Sequence, residues 1–127
     1  MRILVCGGRN YYKYSKVEDT LDELINSVWA ENEDETITII QGGASGADFL
    51  AKVFALDGMG WLIEPKVLHE EYPADWKTHG KAAGSIRNQQ MLDEGKPDIV
   101  VAFPGGSGTK DMIRRANKAG IEVIEVE

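Results

Sequence analysis

The sequence predicts an α/β fold in which helices cover both faces of a parallel sheet. Short runs of apolar and β-branched residues alternate with longer stretches whose apolar residues recur at helical spacing. Pairs of glycines follow three of the short runs, as is typical where a strand turns into a helix. The length of 127 residues, with 43% hydrophobic and 28% charged residues, is ordinary for one soluble globular domain.

Five apolar runs predict the strands. The fourth run is the clearest, because Ile99, Val100 and Val101 stand in series, and the third is weaker and is ended by Pro73. The predicted strands cover Ile3–Cys6, Thr36–Ile40, Val67–Tyr72, Asp98–Phe103 and Ile121–Val126.

The stretch between the first two strands predicts a long helix. Its apolar residues, from Val17 to Trp29, recur at helical spacing. Ser15 and Glu18 form an S-x-x-E capping box, which predicts that the helix begins there.

Three further helices are predicted between the remaining strands. The second covers Gly46–Leu56, and the third covers Ala82–Glu94 with Ile86, Gln90 and Met91 facing inward. The last helix follows Thr109 and buries Met112, Ile113 and Ala116, and Gly120 suits the left-handed position at its C-terminus.

Five strands separated by four helices imply a parallel sheet with helices on both faces. This is a Rossmann-like three-layer sandwich, and the chain contains no repeat or linker that indicates a second domain. We therefore expect one domain over residues 1–127.

The composition argues against several classes of function. The net charge of −7 gives no general attraction to nucleic acid or to an anionic membrane, although it leaves room for a local basic pocket. Cys6 is the only cysteine, so no intrachain disulfide or thiolate metal cluster can form. The apolar run before Gly7 is too short for a signal peptide and no later run approaches a membrane span, which predicts a cytoplasmic protein.

Three glycine-rich turns at the carboxyl ends of strands predict the ligand site. Ligands of open α/β sheets bind at this edge, and amides at helix N-termini favour an anion such as phosphate. Neither a Walker P-loop nor a clean G-x-G-x-x-G is present, which argues against nucleoside-triphosphate hydrolysis and hydride transfer. The turns are Cys6–Arg9, Gln41–Asp48 and Pro104–Thr109, which together hold 8 of the 14 glycines.

Several polar side chains are candidates for ligand contacts. A guanidinium such as that of Arg87 can clamp a phosphate, which we favour; the alternative is a surface arginine, or one paired with Asp75 or Asp98. Asn88 can read a ribose or base edge or cap a turn, and Arg9 either faces the crevice or lies on the surface. The predicted ligand-binding residues are Gly7, Gly8, Arg9, Gly42, Gly43, Ser45, Asp48, Arg87, Asn88, Pro104, Gly105, Gly106, Ser107, Gly108 and Thr109.

Three carboxylates are weak catalytic candidates: Asp48, Asp75 and Asp111. For Asp48 and Asp111 the alternative is a structural role in the first turn of a helix. Asp75 lies in a loop beside Trp76, whose ring can stack on a base or pack in the core. His69 and His79 make no convincing metal site, so we expect neither a metal nor a required cofactor.

The motifs resemble those of a known superfamily. Pro104–Thr109 resembles the P-G-G-x-G-T phosphate loop of the SLOG superfamily, which unites the Smf/DprA and LOG proteins. The sequence is more similar to the small YspA/YpsA-related branch found in bacteria and their phages. This resemblance spans most of the chain, through Val5–Arg9, Gln41–Asp48, Tyr72–Trp76, His79–Gly84 and Arg87–Asn88 with Met91.

The resemblance implies a Rossmann-like fold with a pocket for a nucleotide or a nucleotide derivative. LOG proteins are phosphoribohydrolases that release the base from a nucleoside 5′-monophosphate, and their motif continues P-G-G-x-G-T-x-x-E. Met112 stands at the position of that glutamate, which puts hydrolase activity in doubt.

We therefore expect a protein that binds a phosphorylated, nucleotide-derived small molecule as a sensor or a sequestering module. The alternative is a LOG-like hydrolase of the N-glycosidic bond. Single-stranded DNA binding, as in the DprA relatives, is disfavoured by the acidic charge. LOG-type relatives imply a homodimer or a higher homo-oligomer, with a helix face bearing Trp29 or Trp61 as the contact.

Overall fold

Five parallel strands form one sheet in the order β3-β2-β1-β4-β5. The computed structural model describes residues 1–58 and 67–127. The strands are β1 (Arg2–Cys6), β2 (Ile37–Gln41), β3 (Val67–Glu71), β4 (Ile99–Ala102) and β5 (Glu122–Glu125). The helices are α1 (Tyr14–Glu31), α2 (Ala47–Val53), α3 (Trp76–His79), α4 (Ala83–Asp93) and α5 (Ser107–Lys118). The Rossmann-like fold predicted from the sequence is confirmed.

Helices cover both faces of the sheet because alternate residues of each strand point in opposite directions. Ile3 and Val5 of β1 pack with α1 and α2, whereas Leu4 and Cys6 pack with α4 and α5. The middle of β1 is fully buried because β1 lies at the centre of the sheet.

The strand order reverses between β1 and β4. The chain runs outward from β1 to β3 and then returns to add β4 on the other side of β1. The loops that follow β1 and β4 therefore leave the sheet side by side, and the Gly8 amide donates to the Pro104 carbonyl at 2.9 Å. This reversal is where open α/β sheets place their ligands.

Two predictions about the helices are wrong. Helix α1 begins at Tyr14 and has no side-chain cap, so Ser15 lies inside the helix and forms no capping box. The start moves earlier because Tyr14 packs against the core below α1. In α4, Ile86 is 43% exposed and Gln90 is also exposed; the inward positions are Ala83, Asn88, Met91 and Leu92.

Other elements differ from the expected pattern in ways that affect the site. Helix α3, the single turn at Trp76–His79, was not predicted from the sequence. A 3₁₀ turn over Gly80–Ala82 joins it to α4. Helix α2 ends in one π-helical turn over Phe54–Gly58. Helix α5 begins at Ser107, so the end of the predicted glycine loop is the first turn of a helix.

Candidate functional site

A cleft of about 890 Å³ opens where the strand order reverses, and we call it the main cleft. Residues from the loops after β1, β2 and β4 border it together with α3, α4 and α5. A smaller recess of about 300 Å³ adjoins it and shares Arg9, Ala44, Trp76 and Arg87 with it. The predicted residues that line the main cleft are Gly7, Gly8, Arg9, Asp48, Arg87, Asn88, Gly106, Ser107, Gly108, Thr109 and Asp111.

The remaining predicted residues lie elsewhere. Gly42, Gly43 and Ser45 border the adjoining recess, which we call the side recess. Pro104, Gly105 and Asp75 line neither cavity.

The glycines of the loop after β1 allow this loop to pack against the start of α2 and against the loop after β4. A Cβ on Gly7 would lie 2.6 Å from the Cβ of Ala47, and a Cβ on Gly8 would lie 2.9 Å from the Pro104 carbonyl oxygen. The Gly8 carbonyl in turn accepts the Ala47 amide at the start of α2. This bond occupies an amide that an anion at the α2 N-terminus would need.

The second loop is stabilised by its own side chains. The carboxylate of Asp48 accepts the amides of Gly42 at 3.1 Å and Ala44 at 3.3 Å. The Gly43 amide donates to the side chain of Gln41, and the Ser45 hydroxyl donates to the Arg9 carbonyl. Three amides of this loop are thus already bonded, so the loop shapes the side recess but offers few donors to an anion.

The third loop differs because two of its three glycines, Gly106 and Gly108, face open space. A Cβ on Gly106 or Gly108 would meet no atom within 4 Å. Ser107, Gly108 and Thr109 form the first turn of α5, and within the described residues their amides donate no hydrogen bond. A helix N-terminus of this kind attracts anions, because its amides are free and the helix dipole is positive there.

Arg87 is half-buried at the junction of the main cleft and the side recess. Its Nη1 donates to the Gly42 carbonyl and its Nε donates to Asn88 Oδ1 at 3.1 Å. Neither Asp75 nor Asp98 forms an ion pair with Arg87. Asp98 instead accepts the backbone amide of Arg2. In the part of the chain that the structure describes, no carboxylate lies within 4.0 Å of Arg87.

Asp48 is a buried carboxyl group at the floor of the main cleft, with a side chain only 6% exposed. Burial raises its pKa to about 6, against the lowering effect of the two backbone amides and of Arg87. The neighbouring thiol of Cys6 is buried as well, and burial raises its pKa to about 12. Asp48 can therefore exchange a proton near neutral pH, whereas Cys6 stays a thiol.

Asn88 and Asp111 connect α4 to α5. The amide nitrogen of Asn88 donates to the Gly108 carbonyl at 3.2 Å and to Asp111 Oδ2 at 3.0 Å. Asp111 also accepts from Arg114 and Arg115. Burial opposes ionisation of Asp111, but the hydrogen bonds from Arg115 and Asn88 bring its pKa below the ordinary value. Asn88, at 5% exposure, therefore orients Arg87 and α5, and Asp111 is a fixed anion.

The loop after β3 contributes one aromatic side chain to the mouth of the cleft. Trp76 is 49% exposed and borders both cavities, and the guanidinium carbon of Arg9 lies 5.3 Å from its ring centroid. Asp75 caps α3 by accepting the Thr78 amide, and hydrogen bonds from Thr78 lower its pKa. Trp76 is available for stacking, while Asp75 has a structural role.

Three cations of the main cleft were not among the predicted binding residues: Lys81, Lys110 and Arg114. The signal for two of them is helical spacing, because Lys110 and Arg114 follow Ser107 at intervals of three and four residues on α5. It was missed because Ser107 was expected in a loop.

Two kinds of feature are absent from residues 1–58 and 67–127. No group of three or more His, Cys, Asp or Glu side chains there could hold a metal ion. No helix in those ranges is long and apolar enough to cross a membrane. Trp61, expected at an oligomer contact, lies outside the described residues.

The sequence matches known proteins along most of its length. Residues 1–79 match the model of the YspA, cpYpsA-related SLOG family. The chain belongs to this family. A phage relative, the Gene 61 protein of Mycobacterium phage D29, is 40% identical over 129 residues, covering 97% of this chain and 94% of the relative. The family match includes the loops after β1 and β2, and the loop before α5 lies beyond it.

Proposed function

We propose that this protein binds a nucleotide, or a phosphorylated molecule derived from one, as a sensor or a sequestering module. The phosphate lies on the first turn of α5, where Gly106 and Gly108 allow close approach, and Arg87 is its counter-ion. The ribose and base extend toward Trp76 and the side recess. Membership of the SLOG family supports a nucleotide-related function.

The observation that carries the proposal is the half-buried, fixed guanidinium of Arg87. A cation in such a position is stabilised by an anion, and in the described residues no carboxylate within ion-pair distance supplies one. Arg87 and the free amides of α5 border the same cleft, which supports a phosphate between them. The resemblance of Pro104–Thr109 to the LOG phosphate loop supports the same position.

Binding without turnover agrees with the environment of Met112. This residue stands where the LOG motif has a glutamate, and its side chain is fully buried in the core between α5 and the sheet. A side chain that points into the core cannot act on a ligand in the cleft.

Thermal unfolding in the presence of a nucleotide panel tests the proposal. The panel contains nucleoside mono- and diphosphates, cyclic nucleotides, NAD and inorganic phosphate. A ligand at one hundred times its dissociation constant stabilises the fold by about 2.7 kcal/mol, which raises the midpoint by on the order of ten degrees. Unchanged midpoints with every compound would contradict the proposal.

Replacing Arg87 tests the position of the phosphate. We expect Arg87→Ala to weaken nucleotide binding by roughly 10- to 100-fold, because a charged hydrogen bond contributes about 1.5–3 kcal/mol. Titration calorimetry measures this loss, and circular dichroism checks that the variant remains folded. Lys118→Ala, at the far end of α5, removes the same charge and should bind normally. Equal affinities for the two variants would exclude Arg87 from the site.

A second candidate function is hydrolysis of an N-glycosidic bond, which the buried carboxyl of Asp48 favours. A carboxyl group with a pKa near 6 can serve as general acid at neutral pH. This activity predicts release of free base from a nucleoside monophosphate, and its loss in Asp48→Asn. If the protein binds a nucleotide but releases no base, the protein is a binding module only.

A further inference from the structure

The cationic side chains of the main cleft exceed what one phosphate requires. Five border it, namely Arg9, Lys81, Arg87, Lys110 and Arg114, against the carboxyl groups of Asp48 and Asp111. Asp111 already pairs with Arg114 and with Arg115. Among the described residues, the other four cations have no carboxylate within 4.0 Å. A phosphate monoester carries about two negative charges, so a single one leaves this cluster incompletely neutralised.

Arg9 and Arg87 stand together where the main cleft meets the side recess. Both border both cavities. Burial lowers the pKa of Arg87, and the positive charge of Arg9 lowers it further, against the opposing effect of the Asp48 carboxyl group. Two neighbouring guanidinium groups repel each other unless an anion lies between them.

The guanidinium of Arg87 retains donors for a second anion. It has five N–H groups, of which one is directed at the Gly42 carbonyl and one at Asn88. The remaining three can serve one phosphate at α5 and another beside Arg9. The side recess suits a neutral group, because the amides of Gly42, Gly43 and Ala44 already donate within their own loop.

We infer that the ligand contains two linked phosphoryl groups, as in a nucleoside diphosphate, with one at the first turn of α5 and the other between Arg9 and Arg87. The nucleoside then occupies the side recess beside Trp76. This inference rests on the proposed function and narrows its ligand class from phosphorylated nucleotides in general to those that carry a pyrophosphate group.

Titration calorimetry with four probes tests the inference: inorganic phosphate, pyrophosphate, AMP and ADP. We expect pyrophosphate to bind at least tenfold more tightly than phosphate, and ADP to exceed AMP by a similar factor. Arg9→Gln should remove most of this preference while leaving phosphate and AMP nearly unchanged. Lys118→Gln is the control, because it removes the same charge outside the cleft. It should keep the preference for pyrophosphate over phosphate and for ADP over AMP.

The outcomes separate this inference from the function on which it rests. Equal affinities for pyrophosphate and phosphate, or no binding of pyrophosphate, would overturn the two-phosphate site. An equal loss of affinity for all probes in Arg9→Gln would do the same. If AMP binds without a preference for ADP, the inference fails and the nucleotide site stands. If no nucleotide of the panel binds, the proposed function fails as well.

Discussion

Asp48 combines a structural role with an unusual ionisation equilibrium. Its carboxyl group bonds the amides of Gly42 and Ala44, and so fixes the loop that shapes the side recess. Burial nevertheless disfavours the charged form, and its pKa rises from 3.8 to about 6. Arg87 opposes this rise and Glu71 adds to it. The fold therefore takes up a proton at Asp48 more readily than the unfolded chain does.

This shift predicts a pH dependence of stability. Because the folded pKa is raised, ionisation of Asp48 destabilises the fold by about 2–3 kcal/mol above pH 6, and the effect vanishes below pH 3.8. From pH 7 to pH 5 the native protein should gain about 1 kcal/mol relative to Asp48→Asn. Urea unfolding of both proteins at the two pH values measures the difference. Parallel pH dependences would show that Asp48 keeps its ordinary pKa.

At the scale of elements, glycines that look alike in the sequence have two different roles. Gly46 brings the loops after β1 and β2 into contact, and Gly8 and Gly105 bring the loops after β1 and β4 into contact. Gly106 and Gly108 border the main cleft, and a Cβ on either would meet no atom within 4 Å. Substitutions in the first group should therefore lower the stability of the fold, and substitutions in the second group should weaken ligand binding.

Gly46→Ala should destabilise the fold by about 3 kcal/mol or more. Gly46 has a φ of +77°, which side-chain-bearing residues rarely adopt, and its Cβ would lie 2.6 Å from the backbone of Arg9 and collide with the Gly8 carbonyl. Chemical denaturation measures the loss. A variant as stable as the native protein would mean that the two loops are not held together as described.

Gly108→Ala should instead leave the fold stable and weaken nucleotide binding. Its Cβ meets no protein atom, so the change should stabilise α5 by up to about 1 kcal/mol, while the methyl group occupies space in the cleft and weakens nucleotide binding at least tenfold. Unfolding curves and calorimetry measure the two effects. Asn117→Ala, exposed on the same helix, should stabilise α5 without changing affinity. Normal binding by Gly108→Ala would place the ligand elsewhere.

At the scale of the whole molecule, the choice of ligand depends more on the distribution of charge than on the net charge. The net charge is −7, yet the main cleft collects five cationic side chains. A basic cleft on an acidic protein favours a small anion over a long one, because most of a polyanion would lie against negative surface.

We therefore predict that the protein does not bind single-stranded DNA at about 0.15 M salt. Fluorescence anisotropy of a labelled oligonucleotide tests this, with a nucleotide-competition experiment as control. A complex that weakens steeply with salt would contradict the prediction and revive the DprA-like alternative. The homo-oligomer implied by the resemblance also stays a prediction, which sedimentation can test.

The sequence by itself determined the sheet and the edge that holds the site. Apolar runs of strand length, such as Ile99–Ala102, predict buried strands, because a parallel sheet covered by helices buries the residues on both of its faces. The glycine turns marked the carboxyl edge, since close packing of loops requires them there. Prediction from the local pattern failed where long-range contacts determine where a helix begins, as at Ser15, or which of its faces is buried, as at Ile86.

Only the tertiary structure decided how each residue of the candidate site is held in place. Arg87 could not be told from a paired surface arginine until the described residues showed it half-buried, with no carboxylate within 4.0 Å. Asn88 lines the main cleft and also links α4 to α5, and its contact with a ligand stays a prediction. A Cβ on Gly105 would collide with Thr109 and Gly8, whereas one on Gly106 would meet no atom within 4 Å. These distinctions depend on atoms that are distant in sequence, so no local pattern carries them.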